Sequence, residues 1–432
     1  MAIGKEGNVK WVDGLRGIAS ALVVITHIAR AFDHALFSPS DEKDLPARFL
    51  QWPMIRVLIQ GRIGVTIFAF VTGYVCALKP IRLSRVGNQE TAFVSMGKSA
   101  LRRIPRLVIP TSIATIMIWV FAQLGVFHVA AHTNSNWLRD TAPQVSPYLG
   151  DSLMSLTKNL IMTWTHGANI YDANQWTLLP LLRCSMWIYA FMLGAGFMQP
   201  KYRMLASFSL FFFFWLCGDT AFGMPTFFGA LMSDIQNSGP ANEFVNNNKA
   251  LSRILSIFFI LASFWLGSYP EANANFASWS RDLDSLFSSI TMPGTEIHRF
   301  SSCMGVVFLV IGLHFAPGMR DMLSNRYFLW LGKMSFAVYL LHGCLMRTAL
   351  TWLVYGFNVP ADTHTETGEF IRGIIDYPGH WHLFMVLIFW IPLNYVVAYM
   401  WTSYVDPWAA RLTERMVSVV NIPRDEKPRL PA

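Results

Sequence analysis

Arg16 and His27 are the residues with which chemistry in this chain would begin. They lie eleven positions apart at the two ends of the first apolar run. Eleven residues at about 100° each come to about 20° beyond three turns, so on an unbroken helix both side chains share one face, roughly 16 Å apart along the axis. A neutral imidazole, with an ordinary pKa near 6.5, takes a proton from a hydroxyl at neutral pH. His27 is the candidate general base, and Arg16 a candidate for stabilising developing negative charge. His342 follows Tyr339 by three residues in a later apolar run, so the two share nearly one helix face and are candidates for binding or orienting a substrate. Arg102, Arg103 and Arg106 gather ahead of the third run, where guanidinium forks match phosphate oxygens. Taken alone, they equally suit anchoring on lipid phosphates. Arg183 sits inside the fourth run, shortly after Gln175-Trp176-Thr177, and a charge there requires a partner or an aqueous cavity.

The elements that must position these residues are helices in a bilayer. The chain has 432 residues, 53% hydrophobic and 14% charged, against about 25% charged in a soluble domain, and its mean hydropathy is +0.37. That balance excludes an ordinary soluble protein. Apolar runs approaching a bilayer span of about 20 residues occur near 17–29, 57–78, 107–128, 178–198, 204–218, 220–233, 254–268, 301–316, 327–350 and 383–405. The expected fold is an all-α polytopic bundle of about ten transmembrane helices over 1–405, with a cytoplasmic tail at 406–432 and a polar cavity between spans one, two, four and nine. The run at 220–233 holds Pro225 and two glycines. A broken or re-entrant segment is expected there, which a membrane tolerates only when it is buried in protein. The long loop at 129–177 carries Trp137, Tyr148, Trp164 and Tyr171, as a cover for the cavity or an interfacial belt.

The net charge of +8 is distributed unevenly. On this map 21 Lys and Arg fall on the side of both termini and 9 on the other, which places the termini in the cytoplasm and requires an even number of spans. The basic excess therefore reports orientation, with membrane lipid rather than nucleic acid as the partner. Lys5, Lys10 and Arg16 before the first run, with Ala29-Arg30-Ala31 after it, resemble a cleavable signal, but His27 and Arg30 within that pattern oppose cleavage. The five cysteines lie in or beside apolar runs without CxxC spacing, and no metal or nucleotide-loop motif is present, so no metal is expected. All 26 acids fall outside the ten runs. Proton chemistry inside the membrane then rests on His, Arg, or acids near span ends. Asn-x-Ser/Thr sites are absent, and the sequence does not separate endoplasmic reticulum from plasma membrane.

The stretch Trp11-Val-Asp-Gly-Leu-Arg16-Gly-Ile-Ala through His27 resembles the opening DGLRGIAA…H of the membrane acyltransferase-3 family. Gly64-Val65-Thr66-Ile67-Phe68-Ala69-Phe70-Val71-Thr72-Gly73-Tyr74 is similar to that family's GVDxFFVxSGY segment, Arg103-Ile104-Pro105-Arg106 to its RxxR, and Leu331-Gly332 through Tyr339 and His342 to LGxxSYxxYLxH. Thr66, Thr72 and Leu181 stand where the family carries Asp, Ser and Glu. The resemblance implies transfer of an acyl group, most often acetyl, from a coenzyme A thioester to a hydroxyl. In that reading Arg103 and Arg106 hold the nucleotide phosphates of acetyl-CoA or another acyl-CoA, and the pantetheine arm reaches toward His27. His27 deprotonates the acceptor, Arg16 or Arg183 stabilises the oxyanion, and Arg183, Trp176, Tyr339 and His342 contact substrate. Because no soluble sugar-handling domain accompanies the spans, the expected acceptor is a small molecule such as a fungal secondary metabolite, with a carbohydrate as the alternative. Two further readings remain. One is a secondary transporter whose path is lined by Arg16, Arg183 and His342; the other is a non-catalytic relative serving as scaffold or sensor.

Overall fold

The computed structural model describes residues 9–364 and 370–420. Sixteen α-helices follow one another: α1 (Lys10–Phe32), α2 (Gly61–Arg85), α3 (Gln89–Gln123), α4 (Asn136–Asp140), α5 (Leu149–Thr165), α6 (Leu178–Ala195), α7 (Pro200–Leu216), α8 (Gly223–Gln236), α9 (Gly239–Asn247), α10 (Lys249–Leu266), α11 (Ser278–Ile290), α12 (Ile297–His314), α13 (Pro317–Leu323), α14 (Arg326–Leu345), α15 (Thr351–Tyr355) and α16 (His380–Val420). The only strands among the described residues form a two-residue hairpin, Thr363–His364 with Phe370–Ile371. The protein is an all-α polytopic membrane bundle.

Among the described residues, eight helices are long and apolar enough to cross a bilayer. The two remaining apolar runs form α7 and α8, of 17 and 14 residues. The break expected at Pro225 is absent. Pro225 falls in the first turn of α8, where no intrahelical partner for its missing N–H is needed. Burial in protein does hold, since Met224, Phe227, Phe228 and Asp234 are all enclosed. Both carboxylate oxygens of Asp234 bind Arg203, at 2.6 and 3.0 Å, and Arg85 donates to Oδ1 at 2.6 Å, which locks α2, α7 and α8 together.

The loop at 129–177 contains α4 and the 17-residue α5, and α16 continues unbroken across positions 405–406 to Val420. The proline-bearing end, 421–432, lies outside the described residues. Helix starts follow local chemistry: Asn325 Oδ1 accepts from the backbone N–H of Tyr327 and Phe328 at 2.9 and 3.1 Å, starting α14. Close packing of α14 on α1 depends on small residues. A Cβ on Gly332 would overlap the Asp13 backbone, and one on Gly17 would overlap Leu331 and Gly332. Gly14 meets Leu323, and His27 meets His342 ten residues beyond the Gly17–Gly332 crossing, so α1 and α14 run in the same direction. The start of α1 and the later turns of α16 lie at one end of the bundle: Glu414 accepts from Arg102 at 2.7 Å, and Arg103 lines the same cavity as Arg16.

Candidate active site

From the N-terminal end of the bundle, a groove enters between α2, α3 and α14. Its mouth, about 420 Å3, is lined by Lys79, Ser95, Ser99, Arg102, Arg103 and Arg106. It shares Val75, Cys76, Arg103, Leu107 and Phe336 with a deeper cavity of about 240 Å3, which adds Arg16, Lys333 and Tyr339. The walls come from α1, α2, α3, α6 and α14, so the expected cavity gains one helix, α3. Arg16 is pinned by Nη2 donating to the Gly332 carbonyl at 2.8 Å, with Asp13 at 3.5 Å. Arg103 donates Nε to Ser185 Oγ at 2.9 Å, whereas Arg102 and Arg106 are paired with Glu414 at 2.7 and 3.2 Å.

Tyr339 closes the inner end of this groove. Its hydroxyl donates to the Asn174 carbonyl and lies 2.8 Å from Thr177 Oγ1. One turn further along α14, His342 is fully buried, with its ring 5.2 Å from that of His27. His342 Nδ1 lies 2.9 Å from the carbonyl oxygens of both Val338 and Tyr339, so the proton resides on Nδ1 and Nε2 is left as an acceptor. His27 stacks on Trp137 at 5.2 Å, and its buried Nδ1 has no partner among the described residues. Of the two imidazoles, only His27 is partly open. Trp137 in turn floors a second cavity, about 580 Å3, which faces the opposite end of the bundle and is lined by Arg30, Tyr355 and Tyr377.

Behind His342 lies an ion pair that sequence reasoning missed. Arg347 and Asp172 are 1% and 0% exposed and meet at 3.1 Å. Arg347 falls in a π-helical turn, Met346–Leu350, that follows α14, a widening often found at functional positions. Its Nε and Nη1 donate to the carbonyls of Gly343 and Thr141, at 2.9 and 2.6 Å. A side chain on Gly343 would overlap Asn174 Nδ2 and crowd Asp172 Oδ1, so glycine is what admits this acid-bearing loop against α14. Asp172, which lies outside the ten apolar runs, arrives beside the histidines from the polar loop ahead of α6, an acid near a span end.

Two expected substrate contacts fall elsewhere. Arg183 is exposed, lines none of these cavities, and forms no hydrogen bond or ion pair among the described residues. The buried stripe of α6 runs through Cys184, Ile188 and Met192, and Arg183 lies about 100° from it. Trp176 is half-exposed and faces a separate small cavity with Arg62 and Arg299. The long loop brings Trp137 against His27 and Asp172 against Arg347.

A groove with a basic mouth runs into a helical membrane bundle and ends at Tyr339, one turn of α14 from a histidine pair, the arrangement of a membrane enzyme's candidate active site. Residues 9–403 match the acyltransferase domain family, and the chain belongs to that family. It is similar to the O-acetyltransferase PaAT-1 of Phomopsis amygdali, 25% identical over 380 residues, which cover 79% of this chain and 73% of that protein. No solved structure matches. The protein is an integral membrane acyltransferase.

Proposed function

We propose that the protein transfers an acetyl group from acetyl-CoA to a hydroxyl of a small molecule of the secondary-metabolite class. The observation that carries the reading is the continuity of the basic groove from Lys79, Arg102, Arg103 and Arg106 to Tyr339, with His27 and His342 just beyond. The mouth suits the charged end of the donor: guanidinium and ammonium groups gather at its entrance. From Lys333 to Tyr339 the groove follows six residues of α14, roughly 9 Å, and His342 lies roughly 4.5 Å further. An extended arm bearing a thioester follows that path as far as Tyr339, whose side chain must turn aside for the thioester to reach the histidines. The acceptor approaches from the opposite end, where a cavity of about 580 Å3 is within the usual range of small-molecule sites. The relative's name, O-acetyltransferase, supports an acetyl donor and an oxygen acceptor.

In this mechanism the imidazole of His27 takes the acceptor's hydroxyl proton as that oxygen attacks the thioester carbonyl. The C–O bond forms, the C–S bond breaks, and the departing thiolate receives the proton from His27. Trp137 and His342 hold the His27 ring between them. Arg16 and Lys333 supply positive charge along the donor's path. By the excess of Lys and Arg on the side of the termini, the groove opens to the cytoplasm, in the endoplasmic reticulum or the plasma membrane.

The test is release of free coenzyme A from acetyl-CoA by purified protein in nanodiscs, with a mixed pool of hydroxylated acceptors. Acceptor-dependent release should fall by about 10²- to 10⁴-fold in His27→Ala, with membrane insertion preserved. Retained turnover removes His27 from the base role, and failure of the wild type to bind acetyl-CoA overturns the proposal.

A further inference from the structure

Beside the outer cavity, a smaller one of about 170 Å3 opens among helix ends. Arg30 comes from the end of α1, Arg62 from the start of α2, Arg299 from the first turn of α12, Glu271 from the loop after α10, and Trp176 from just before α6. The charges here do not balance. Glu271 accepts from Arg30 at 3.0 and 2.8 Å and has Arg62 at 3.3 Å, while Arg299 pairs with Glu296. Three guanidinium groups therefore face two carboxylates. Burial alone would push the Glu271 carboxyl up, but the hydrogen bond from Arg30 and the charge of Arg62 outweigh it and hold the group below its ordinary value. Its negative charge is thus already engaged.

Arg62 is the least satisfied of the three cations. Its Nη2 donates to the Tyr269 carbonyl at 3.2 Å and to the Gln60 side chain, and its Nη1 lies 3.3 Å from Glu271 Oε2 without a hydrogen bond, whereas the buried Nε has no partner among the described residues. Arg299 is held at the wall by Trp176, 5.4 Å from its ring centre. A buried guanidinium N–H without an acceptor, beside two further guanidinium groups, matches an anionic oxygen. Arg30 lines both this cavity and the outer one, and it lies three residues past His27, roughly 4.5 Å further along α1. A ligand in the outer cavity therefore has Trp137, which stacks on His27, at its floor and the basic cavity beside it across Arg30.

We infer that the acceptor is itself an anion, bearing a carboxylate or phosphate beside its reactive hydroxyl, and that Arg62, Arg30 and Arg299 seat that group while the hydroxyl faces His27. The inference rests on the acyl-transfer reading for what the hydroxyl does, and on the cavity alone for the anion seat. Trp176 then becomes a wall of the acceptor site, and discrimination among acceptors resides at the ends of α1, α2 and α12.

Three probes of one shape test this on the full-length protein in nanodiscs: 4-(hydroxymethyl)benzoate, 4-(hydroxymethyl)phenyl phosphate and the neutral 4-(hydroxymethyl)benzamide. At least one anion should raise the unfolding temperature at a concentration where the amide does not, and which anion does so distinguishes carboxylate from phosphate. Arg62→Gln and Arg299→Gln should each abolish that shift, and Arg62→Lys should keep part of it. In turnover, kcat/KM for the stabilising anion should exceed that for the amide by on the order of tenfold or more, and Arg62→Gln should erase the difference with KM for acetyl-CoA unchanged. Equal stabilisation by all three probes, none by any, or a shift that survives both substitutions, overturns the inference. His27-dependent acetylation of the amide without anion preference would sink the seat and leave acyl transfer standing. Arg62-dependent stabilisation without any coenzyme A release would do the reverse.

Discussion

At Asp172 a carboxylate with no solvent exposure holds Arg347 at 3.1 Å beside the residue that follows His342. Removing one partner of such a pair leaves a buried charge uncompensated and costs about 3–5 kcal/mol. Asp172→Asn should therefore lower the thermal unfolding midpoint and the transfer rate together, and Arg347→Met should do the same. A variant that keeps the wild-type midpoint would show that water reaches the pair. Arg16, His27, Tyr339 and His342 were legible before folding because their spacing on single helices fixes which side chains share a face. Asp172 was not, because it belongs to a polar loop whose return into the bundle depends on Gly343 and on contacts distant in sequence; Trp137 was legible only as a cover for the cavity or part of a belt, not as the ring that stacks on His27. Arg183 was misplaced for a related reason: helical spacing shows which residues share a face, but not which face the neighbouring helices cover.

The packing of α1 against α14 sets the distance between the two imidazoles. A methyl group at Gly332 meets the backbone of Asp13, which has no side-chain rotamer to turn away, so Gly332→Ala must force the helices apart. Circular dichroism should show retained helix content with a lower unfolding midpoint, and transfer should fall further than donor binding does. Unchanged kinetics would mean that the His27–His342 separation is set elsewhere. Glu271 ties the ends of α1 and α2 through Arg30 and Arg62. Its carboxyl is held below its ordinary value, so the unfolded chain takes up that proton first on acidification. The contribution to stability is complete above the ordinary carboxyl range near 4.5 and is lost as pH falls through the depressed folded value. Glu271→Gln should remove this part of the acid limb in unfolding midpoints measured from pH 6 down to 3. At this scale the ten apolar runs all reappear as helices, since hydrophobic length is a property of the chain itself. The amphipathic α5 and the extension of α16 past position 405 were missed, because polar residues on one side of a helix resemble loop composition in a linear reading.

For the molecule as a whole, the position of each opening decides which compartment supplies which reactant. In sealed vesicles with the termini outward, acetyl-CoA added outside should support turnover, and in vesicles of opposite orientation it should not; equal rates from both sides would refute the assigned sidedness. Glu414 occupies the guanidinium forks of Arg102 and Arg106 at the groove mouth. Glu414→Gln should remove that competitor and lower KM for acetyl-CoA with kcat little changed, in steady-state kinetics at low salt. Among the described residues, the groove from the end bearing the termini and the cavity from the opposite end share no lining side chain; Tyr339, the two histidines and Trp137 lie between them. A pore of comparable polarity would short-circuit the voltage and ion gradients on which the membrane depends. Here a plug a few side chains thick keeps the two openings apart, so the bilayer keeps its electrical insulation, and the proposed transfer requires those side chains to part only where the two reactants touch.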